Sequence, residues 1–344
     1  MMSFRSWVTI LTLILLSVVV YLGWPQITEA FGLVGKINFW ILALLIPVQF
    51  FSYYAIGAMI FSYLRAKGEL KSTSHWEMTR MALELNFVNH IIPSGGAAGF
   101  SYLGWVLGRH GVRAGRATMA QIVRFALAFI SFVLLLVIAV IALAFDHQIN
   151  RTIIVISFVL VLAAVGGTIL SIYIMGSKQR MVIVSGWLTR TTNKIVEKVT
   201  RGKKRQILKL EVIGGFFEEL HQDYLEIRQD KRILIRPLIW AIFVNLADVL
   251  LLVICFLALG TWVNPATLFV AFGVASIASI ISVTPGGAGV YEAIMIAFLA
   301  SAGVPADMAI AGTLVARVTL LMGTVVFGYL FYQLTILKYG KNPI

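Results

Sequence analysis

The stretch Thr284-Pro285-Gly286-Gly287-Ala288-Gly289-Val290-Tyr291-Glu292 lies inside an otherwise apolar region of the sequence. Proline and glycine interrupt a helix, and within a membrane a broken helix is tolerated only where the freed backbone is buried in protein or lines a cavity. A glutamate at such a depth is a functional-site hypothesis by default. This stretch therefore predicts a membrane protein with a binding site at the break.

A similar break occurs earlier, at Pro93-Ser94-Gly95-Gly96-Ala97-Ala98-Gly99. The two breaks lie 192 positions apart, and other features follow the same offset. The matching pairs are Pro93 and Pro285, Gly95 and Gly287, Gly111 and Gly303, Val112 and Val304 and, one position out of step, Arg124 and Arg317. We therefore predict an internal duplication, with repeat 1 at about 38–175 and repeat 2 at about 234–336. Interrupted hydrophobic segments at corresponding positions of two halves point to a transporter binding site.

The composition identifies the class of protein. Hydrophobic residues make up 60% of the chain and charged residues 12%, whereas a soluble domain carries roughly 25% charged residues. An all-α polytopic integral membrane protein is expected. The net charge of +13 comes from basic residues in loops between apolar runs, which positive-inside topology and anionic lipid explain without nucleic acid. Cys255, the one cysteine, excludes an internal disulfide and Cys-based metal sites.

Apolar runs predict one membrane domain over 1–344, with six full transmembrane helices and two re-entrant helical hairpins. The helices are expected at about 7–24 (an uncleaved span), 38–64, 117–145, 152–175, 234–260 and 305–336, and the hairpins at 81–108 and 267–304. The loop before the first hairpin is expected to hold Glu77 and Arg80. Residues 176–233 read as a cytoplasmic connector of amphipathic helices, first basic and then acidic, whose basic side contacts anionic inner-leaflet lipid.

Loop charge sets the predicted topology. The twelve residues 81–92 form ~18 Å of helix, which is short of a ~30 Å hydrocarbon core. If 81–108 enters and leaves on one side, every basic loop lies on the cytoplasmic side, as do both termini. The second hairpin then dips in from the outside, so the two repeats form an inverted repeat. A multi-pass protein of the cell membrane is predicted.

The second arm of each hairpin begins just after its glycines, so a helix N-terminus points into the bilayer, where it favours an anion. Arg124 and Arg317 lie in the spans that follow, and a guanidinium can hold a phosphate bidentately. We therefore predict that the two helix N-termini and the two arginines form a lipid-binding site. Its candidate residues are Arg124, Arg317, Glu292, Asp248, Pro93, Gly95, Gly96, Pro285, Gly286, Gly287, Gly289, Asn89 and His90.

Several of these residues have alternative explanations. Each arginine could instead be neutralised by Glu292 or Asp248 as a structural pair, and Arg124 could snorkel to the inner surface. Asp248 could pair with an arginine, carry a proton or meet a cationic headgroup. Asn89 and His90 could hold helices together rather than bind ligand. For Arg317, about 18 Å into its span, we predict that Glu292 is its partner until a lipid phosphate competes.

The sequence contains no Walker motif, His-Glu-x-x-His, Gly-x-Ser-x-Gly or acid-rich metal cluster. ATP-driven pumping and metallohydrolysis therefore have no support in this chain. We predict that it is not an enzyme and that it holds no metal and no cofactor.

Pro285-Gly286-Gly287-Ala288-Gly289-Val290-Tyr291-Glu292 resembles the Pro-Gly-Gly-x-Gly-x-x-Glu signature of the flippase-like membrane domain of lysylphosphatidylglycerol synthetases. Gly303-Val304, Arg317 and the earlier break also fit, over roughly 40–340. The resemblance implies movement of an aminoacylated, polyprenyl-linked or glycan-linked lipid between leaflets. The chain resembles stand-alone members, without the soluble aminoacyltransferase domain. It departs from the family at Phe100, where the first break usually continues with glutamate, so the lipid preferred by this chain could differ.

We therefore expect translocation of an anionic lipid without ATP hydrolysis by this chain. One alternative is a secondary transporter of a small soluble anion, which would need a closed aqueous vestibule rather than a lateral opening. Another is a non-transporting subunit that docks a lipid-modifying transferase through 176–233 and would tolerate loss of Arg317. The expected partners are thus a membrane phospholipid or lipid-linked substrate and, in the last case, an enzyme.

Overall fold

A computed structural model describes residues 32, 35, 37–91, 97–145, 151–199, 218, 221, 222, 224–281 and 287–340, and the secondary structure that it assigns in these ranges is helical. The span predicted at 7–24 lies outside the described residues. In chain order the helices are α1 (Phe39–Ala43), α2 (Leu45–Ala66), α3 (His75–Ile91), α4 (Ala97–Arg109), α5 (Ala114–Phe145), α6 (Arg151–Met175), α7 (Lys178–Val199), a 3-10 helix (Lys231–Leu234), α8 (Ile235–Ala258), α9 (Pro265–Ile281), α10 (Val290–Ser301) and α11 (Ala306–Tyr339).

Among the described residues, four helical segments are long and apolar enough to cross a membrane. They are Phe39–Ala66, Ala114–Leu143, Lys231–Ala258 and Ala306–Tyr339. They coincide with four of the predicted spans, and α6 fills the predicted place of a fifth with 25 residues. The α9 and α10 helices are apolar but shorter, and they occupy the predicted hairpin. The polytopic, all-helical membrane architecture is thereby confirmed.

The start of α3 corrects one prediction. Glu77 and Arg80 were expected in a loop, but the helix already begins at His75. The Ser74 hydroxyl accepts a hydrogen bond from the Glu77 backbone N–H at 3.1 Å, which satisfies one of the free donors of the first turn. Because this cap places the start of α3 at His75, Glu77 and Arg80 both lie within the helix.

Two apolar clusters form the core, one around each pair of short helices. The first-hairpin cluster contains α3, α4 and the first half of α5. The second-hairpin cluster contains α9, α10, the second half of α5 and the first part of α11. The α2 helix enters the second-hairpin cluster at Leu45 and the first-hairpin cluster at Met59 to Leu64. Since α2 and α5 each have one end in each cluster, the two pairs of short helices lie at opposite ends of the long helices.

Several helices begin or end at positions that lie 192 residues apart. At an offset of 192 residues, the end of α2 matches the end of α8, the end of α4 matches that of α10, and the start of α5 matches that of α11. Glycines with positive φ follow the same offset. They are Gly68 (82°) with Gly260 (79°), and Gly111 (82°) with Gly303 (93°). Contacts between the halves correspond too, because α3 packs against α11 and α9 packs against α5.

The acidic part of the connector is tied to basic residues at the end of α2 and the start of α5. Lys67 Nζ lies 2.5 Å from Glu226 Oε2, and Arg116 Nη2 lies 3.8 Å from the same oxygen. Arg116 also pairs with Glu69 at 3.2 Å. The hydrogen bond from Lys67 holds the pKa of Glu226 below its ordinary value. The α7 helix forms where the basic half of the connector was predicted, and its contact with lipid stays a prediction.

Candidate functional site

The second break ends in a turn that only glycine accommodates well. Gly287 and Gly289 have φ angles of 71° and 89°, a region that other residues rarely adopt. A Cβ atom on Gly287 would lie 2.3 Å from the Ser279 Cβ on α9. Glycine is therefore also needed because the backbone of the turn lies so close to α9. Gly289 is the N-cap of α10. The glycines therefore set where α10 begins.

Glu292 uses its two carboxylate oxygens for two different contacts. Oε2 accepts a hydrogen bond from the Gly289 backbone N–H at 2.6 Å. Oε1 lies 2.6 Å from Nε of Arg317. The predicted ion pair is therefore present, and it ties the first turn of α10 to the middle of α11. The side chains remain 23% exposed for Arg317 and 14% for Glu292, so a ligand could reach them.

Tyr291 lies beside the Glu292–Arg317 pair and contributes its aromatic ring to the site. The Cζ atom of Arg317 lies 4.9 Å from the centre of its ring, which is within the range of a cation–π interaction. The structure thus brings two of the predicted charged residues, Arg317 and Glu292, together beside one tyrosine. We call Tyr291, Glu292 and Arg317 the α10 site.

Asp248 has a hydroxyl partner rather than a cation. Ser52 Oγ on α2 donates a hydrogen bond to Asp248 Oδ1 at 3.1 Å. Among the described residues no Lys, Arg or His lies within ion-pair distance of this carboxylate. Of the alternatives open for Asp248, pairing with an arginine is not seen among the described residues, and the other two stay predictions. Neighbouring Asn245 instead faces α5, where its amide donates to Ala128 O at 3.2 Å.

The structure describes only part of each break. Pro93, Gly95 and Gly96 lie outside the described residues, as do Pro285 and Gly286 of the second break.

Beside the first break, α3 and α4 meet at Gly99, where a Cβ atom would lie 2.1 Å from Oδ1 of Asn89. This oxygen and Oε1 of Gln121 are buried without a hydrogen-bond partner among the described residues. Gln121 donates to Gly99 O at 3.4 Å. His90 lies in α3, and its side chain is outside the description.

Arg124 differs from Arg317 in its surroundings. Its Cζ atom lies 4.5 Å from the ring centre of Phe125, and that ring stacks on Phe100 with centroids 5.8 Å apart. No carboxylate of the described residues forms an ion pair with Arg124. The alternative that Arg124 pairs with an acid is therefore not found in this part of the chain. At the 192-residue offset, Phe100 takes the position of Glu292.

Sequence reasoning missed a buried carboxylate. Glu84 on α3 is fully buried and accepts hydrogen bonds from Tyr102 of α4, from Thr335 of α11 at 2.7 Å and from Arg80 at 3.1 Å. The spacing of Arg80 and Glu84, four residues apart, was the available signal. Because all three partners satisfy the carboxylate, this network ties α3, α4 and α11 together. Within the described ranges, no cluster of metal-ligating side chains occurs.

Comparison with known proteins places the sequence among membrane proteins. The family described as "Lysylphosphatidylglycerol synthase TM region" matches residues 7–328. A "UPF0104 membrane protein" of Methanothermobacter thermautotrophicus is 20% identical over 231 residues, which is 67% of each chain. The family match, at residues 7–328, covers both breaks and the α10 site.

Proposed function

Because the chain belongs to the lysylphosphatidylglycerol synthase transmembrane family, we propose that it moves an anionic lipid between the two leaflets of a membrane, without hydrolysing ATP itself. The observation that carries this proposal is the Arg317–Glu292 pair at the N-terminus of α10. Such a charge inside an apolar bundle is costly and generally marks a substrate pathway. Candidate substrates are aminoacylated, polyprenyl-linked or glycan-linked lipids with a phosphate in the headgroup region.

In the proposed mechanism, the phosphate and Glu292 compete for one guanidinium. Glu292 neutralises Arg317 while the site is empty, at the 2.6 Å contact. An arriving phosphate takes that place, because the fork of the guanidinium matches its oxygens. The N–H groups at the start of α10 add favourable interactions with the same anion. Glu292 reclaims the arginine when the lipid leaves, so the carboxylate drives release.

We propose that two oppositely oriented hairpins give the lipid access from both sides. Support comes from the common 192-residue offset of helix ends and positive-φ glycines. It also comes from the position of the two hairpin clusters at opposite ends of α2 and α5. A Pro/Gly-interrupted segment in each half is the pattern of inverted-repeat transporters. The basic loops and the α7 helix then lie at the cytoplasmic surface, against anionic lipid.

Cysteine labelling tests this topology at corresponding positions. Ala114 and Ala306 are the first residues of α5 and α11, and both are exposed. In intact cells, an impermeant thiol reagent is expected to label Ala306→Cys, whereas Ala114→Cys reacts only after the membrane is opened. Both sites accept a small side chain, and the wild-type protein is the control because Cys255 is buried. Labelling of both variants from one side would refute the inverted repeat.

Reconstitution of the full chain into liposomes tests the function itself. Fluorescent phosphatidylglycerol in the inner leaflet should become accessible to an external quencher faster than in protein-free liposomes, without ATP. A parallel assay follows release of a trapped soluble anion. Lipid movement without anion release supports the proposal. Anion release alone would favour a solute transporter, and no activity without a second protein would favour a docking subunit.

A further inference from the structure

A cavity lies away from the α10 site, where α2 ends and α8 begins. Its volume is about 480 Å³, and α2, the start of α3, the 3-10 helix and α8 supply its walls. Three arginines line it, Arg65, Arg232 and Arg236, together with one acid, Asp230. The side chains around the cavity therefore carry a net charge of +2 with His75 neutral. We call this cavity the arginine pocket.

Arg65 is held in place but keeps a donor for a ligand. Its Nη2 donates to Thr73 O at 2.6 Å, and Nη1 lies 3.2 Å from Nε2 of His75. The Nε atom is buried and has no hydrogen-bond partner among the described residues. A buried donor without a partner is unfavourable. A ligand acceptor that reaches Nε would relieve it.

The other two arginines are not neutralised. Arg232 and Arg236 are exposed, and no carboxylate in the described ranges forms an ion pair with either of them. Asp230 uses Oδ1 to accept a hydrogen bond from the Arg232 backbone N–H at 3.0 Å, which caps the 3-10 helix. The positive charge of the arginine pocket is therefore available to an anion.

The inner wall of the arginine pocket is aromatic. The rings of Tyr54 on α2 and Trp240 on α8 make an edge-to-face contact with centroids 5.4 Å apart, and Phe61 and Ala58 continue this wall. Tyrosine and tryptophan are enriched where a membrane protein crosses from hydrocarbon to water. A cationic rim beside an aromatic wall matches a ligand that is charged at one end and apolar at the other.

We propose that the arginine pocket binds the phosphate headgroup of an anionic glycerophospholipid. The phosphate contacts the guanidinium groups of Arg65, Arg232 and Arg236, which bind such oxygens in pairs. The glycerol and the first acyl carbons pack against Tyr54 and Trp240. This binding does not depend on the lipid movement proposed for the α10 site, because its residues and its ligand contacts are separate.

Binding to the purified full chain in detergent tests this site. The probe is dihexanoyl phosphatidic acid, measured by isothermal titration. Arg232→Ala and Arg236→Ala remove exposed side chains without ion-pair partners, so folding should be retained. Each should weaken binding about fivefold, since an arginine near anionic lipid contributes ~1 kcal/mol, and the double variant should weaken it about 25-fold if the effects add. Arg109→Ala, which removes an exposed arginine elsewhere, is the matched control and should bind as the wild type does.

Two further ligands separate the parts of the proposal. Dihexanoyl phosphatidylcholine has the same apolar portion without net charge and should bind at least tenfold more weakly. Inorganic phosphate has the charge without the apolar portion and should also bind weakly. Equal affinity of the double variant and the wild type would overturn the site. If inorganic phosphate binds as tightly as phosphatidic acid does, the assignment to lipid is overturned. If phosphatidylcholine binds as tightly as phosphatidic acid does, the role of the arginines is overturned.

Discussion

Arg317→Ala is expected to stop most lipid movement while the protein remains folded. The substitution removes the 2.6 Å contact with Glu292 and the cation over Tyr291, and it deletes the group that binds phosphate in the proposed mechanism. A hydrogen bond to a charged group is worth about 1.5–3 kcal/mol, which corresponds to about a 10- to 150-fold lower rate. The measurement is transfer of fluorescent phosphatidylglycerol in proteoliposomes, with gel filtration and thermal unfolding in detergent to follow folding.

Two companion variants separate charge from geometry. Arg317→Lys keeps the positive charge but lacks the planar fork, so it should restore only a small part of the rate. Glu292→Gln keeps an oxygen that can accept from the Gly289 N–H and removes the competitor for Arg317. We expect it to bind lipid more tightly and release it more slowly. A faster lipid off-rate in Glu292→Gln would contradict the competition step.

Arg109→Ala is the control, because it removes an exposed arginine from the end of α4, far along the chain from the α10 site. It should transfer lipid at the wild-type rate. If Arg317→Ala also transfers lipid at that rate, the arginine has a structural role and the α10 site is wrongly assigned. If Arg317→Ala unfolds, the Arg317→Lys and Glu292→Gln variants still distinguish the two roles, since both keep polar groups at the pair.

The ion pair of the α10 site could be predicted because local chemistry determines it. Glycines at Gly287 and Gly289 force the turn, and the turn fixes the first residues of α10. Glu292 then lies in the first turn, where a carboxylate is favoured both by the free N–H groups and by the helix dipole. An arginine inside a membrane requires a partner. For Arg317 on α11, the nearest helix in the chain that could supply one was α10.

The partners of Asp248 and Glu84 could not be predicted in this way. Asp248 contacts Ser52, 196 residues away along the chain, and Glu84 contacts Thr335, 251 residues away. Helical periodicity indicates which residues share a face, but it does not indicate which other helix packs there. The start of α3 is a different case, because Ser74 and Glu77 form a recognisable capping pattern that sequence analysis passed over.

The two proposed repeats differ at Phe100. The 192-residue offset places it opposite Glu292, and Arg124 corresponds to Arg317 one position out of step. In the second half the carboxylate meets the guanidinium, whereas in the first half Arg124 lies over Phe125, which stacks on Phe100. No carboxylate of the described residues pairs with Arg124, so none of them competes with an anionic headgroup for it. We therefore expect Phe100 to set a preference for anionic over cationic lipids.

Phe100→Glu is expected to slow transfer of phosphatidylglycerol about tenfold and to raise the relative transfer of its lysylated, cationic form. The new carboxylate would reach Arg124 and compete with phosphate, as Glu292 does for Arg317, and the tenfold estimate is the lower range for a charged hydrogen bond. Folding should survive, because Arg124 supplies a partner for the new carboxylate and the N-terminal turn of α4 favours a negative charge. Phe100→Gln has the same length without the charge and isolates the effect of losing the ring.

Arg124→Ala completes a double-mutant cycle with Phe100→Glu, which measures the coupling between the two positions. If the new carboxylate acts through Arg124, the difference between Phe100→Glu and Phe100→Gln should disappear when Arg124 is alanine. The lipid ratio in that background should then be the same for both variants. A difference that persists without Arg124 would show that the carboxylate acts on lipid directly. Identical rates and lipid ratios for Phe100→Glu and Phe100→Gln in the wild-type background would remove Arg124 from the lipid path, because a charge placed beside a phosphate-binding guanidinium must alter the binding of phosphate.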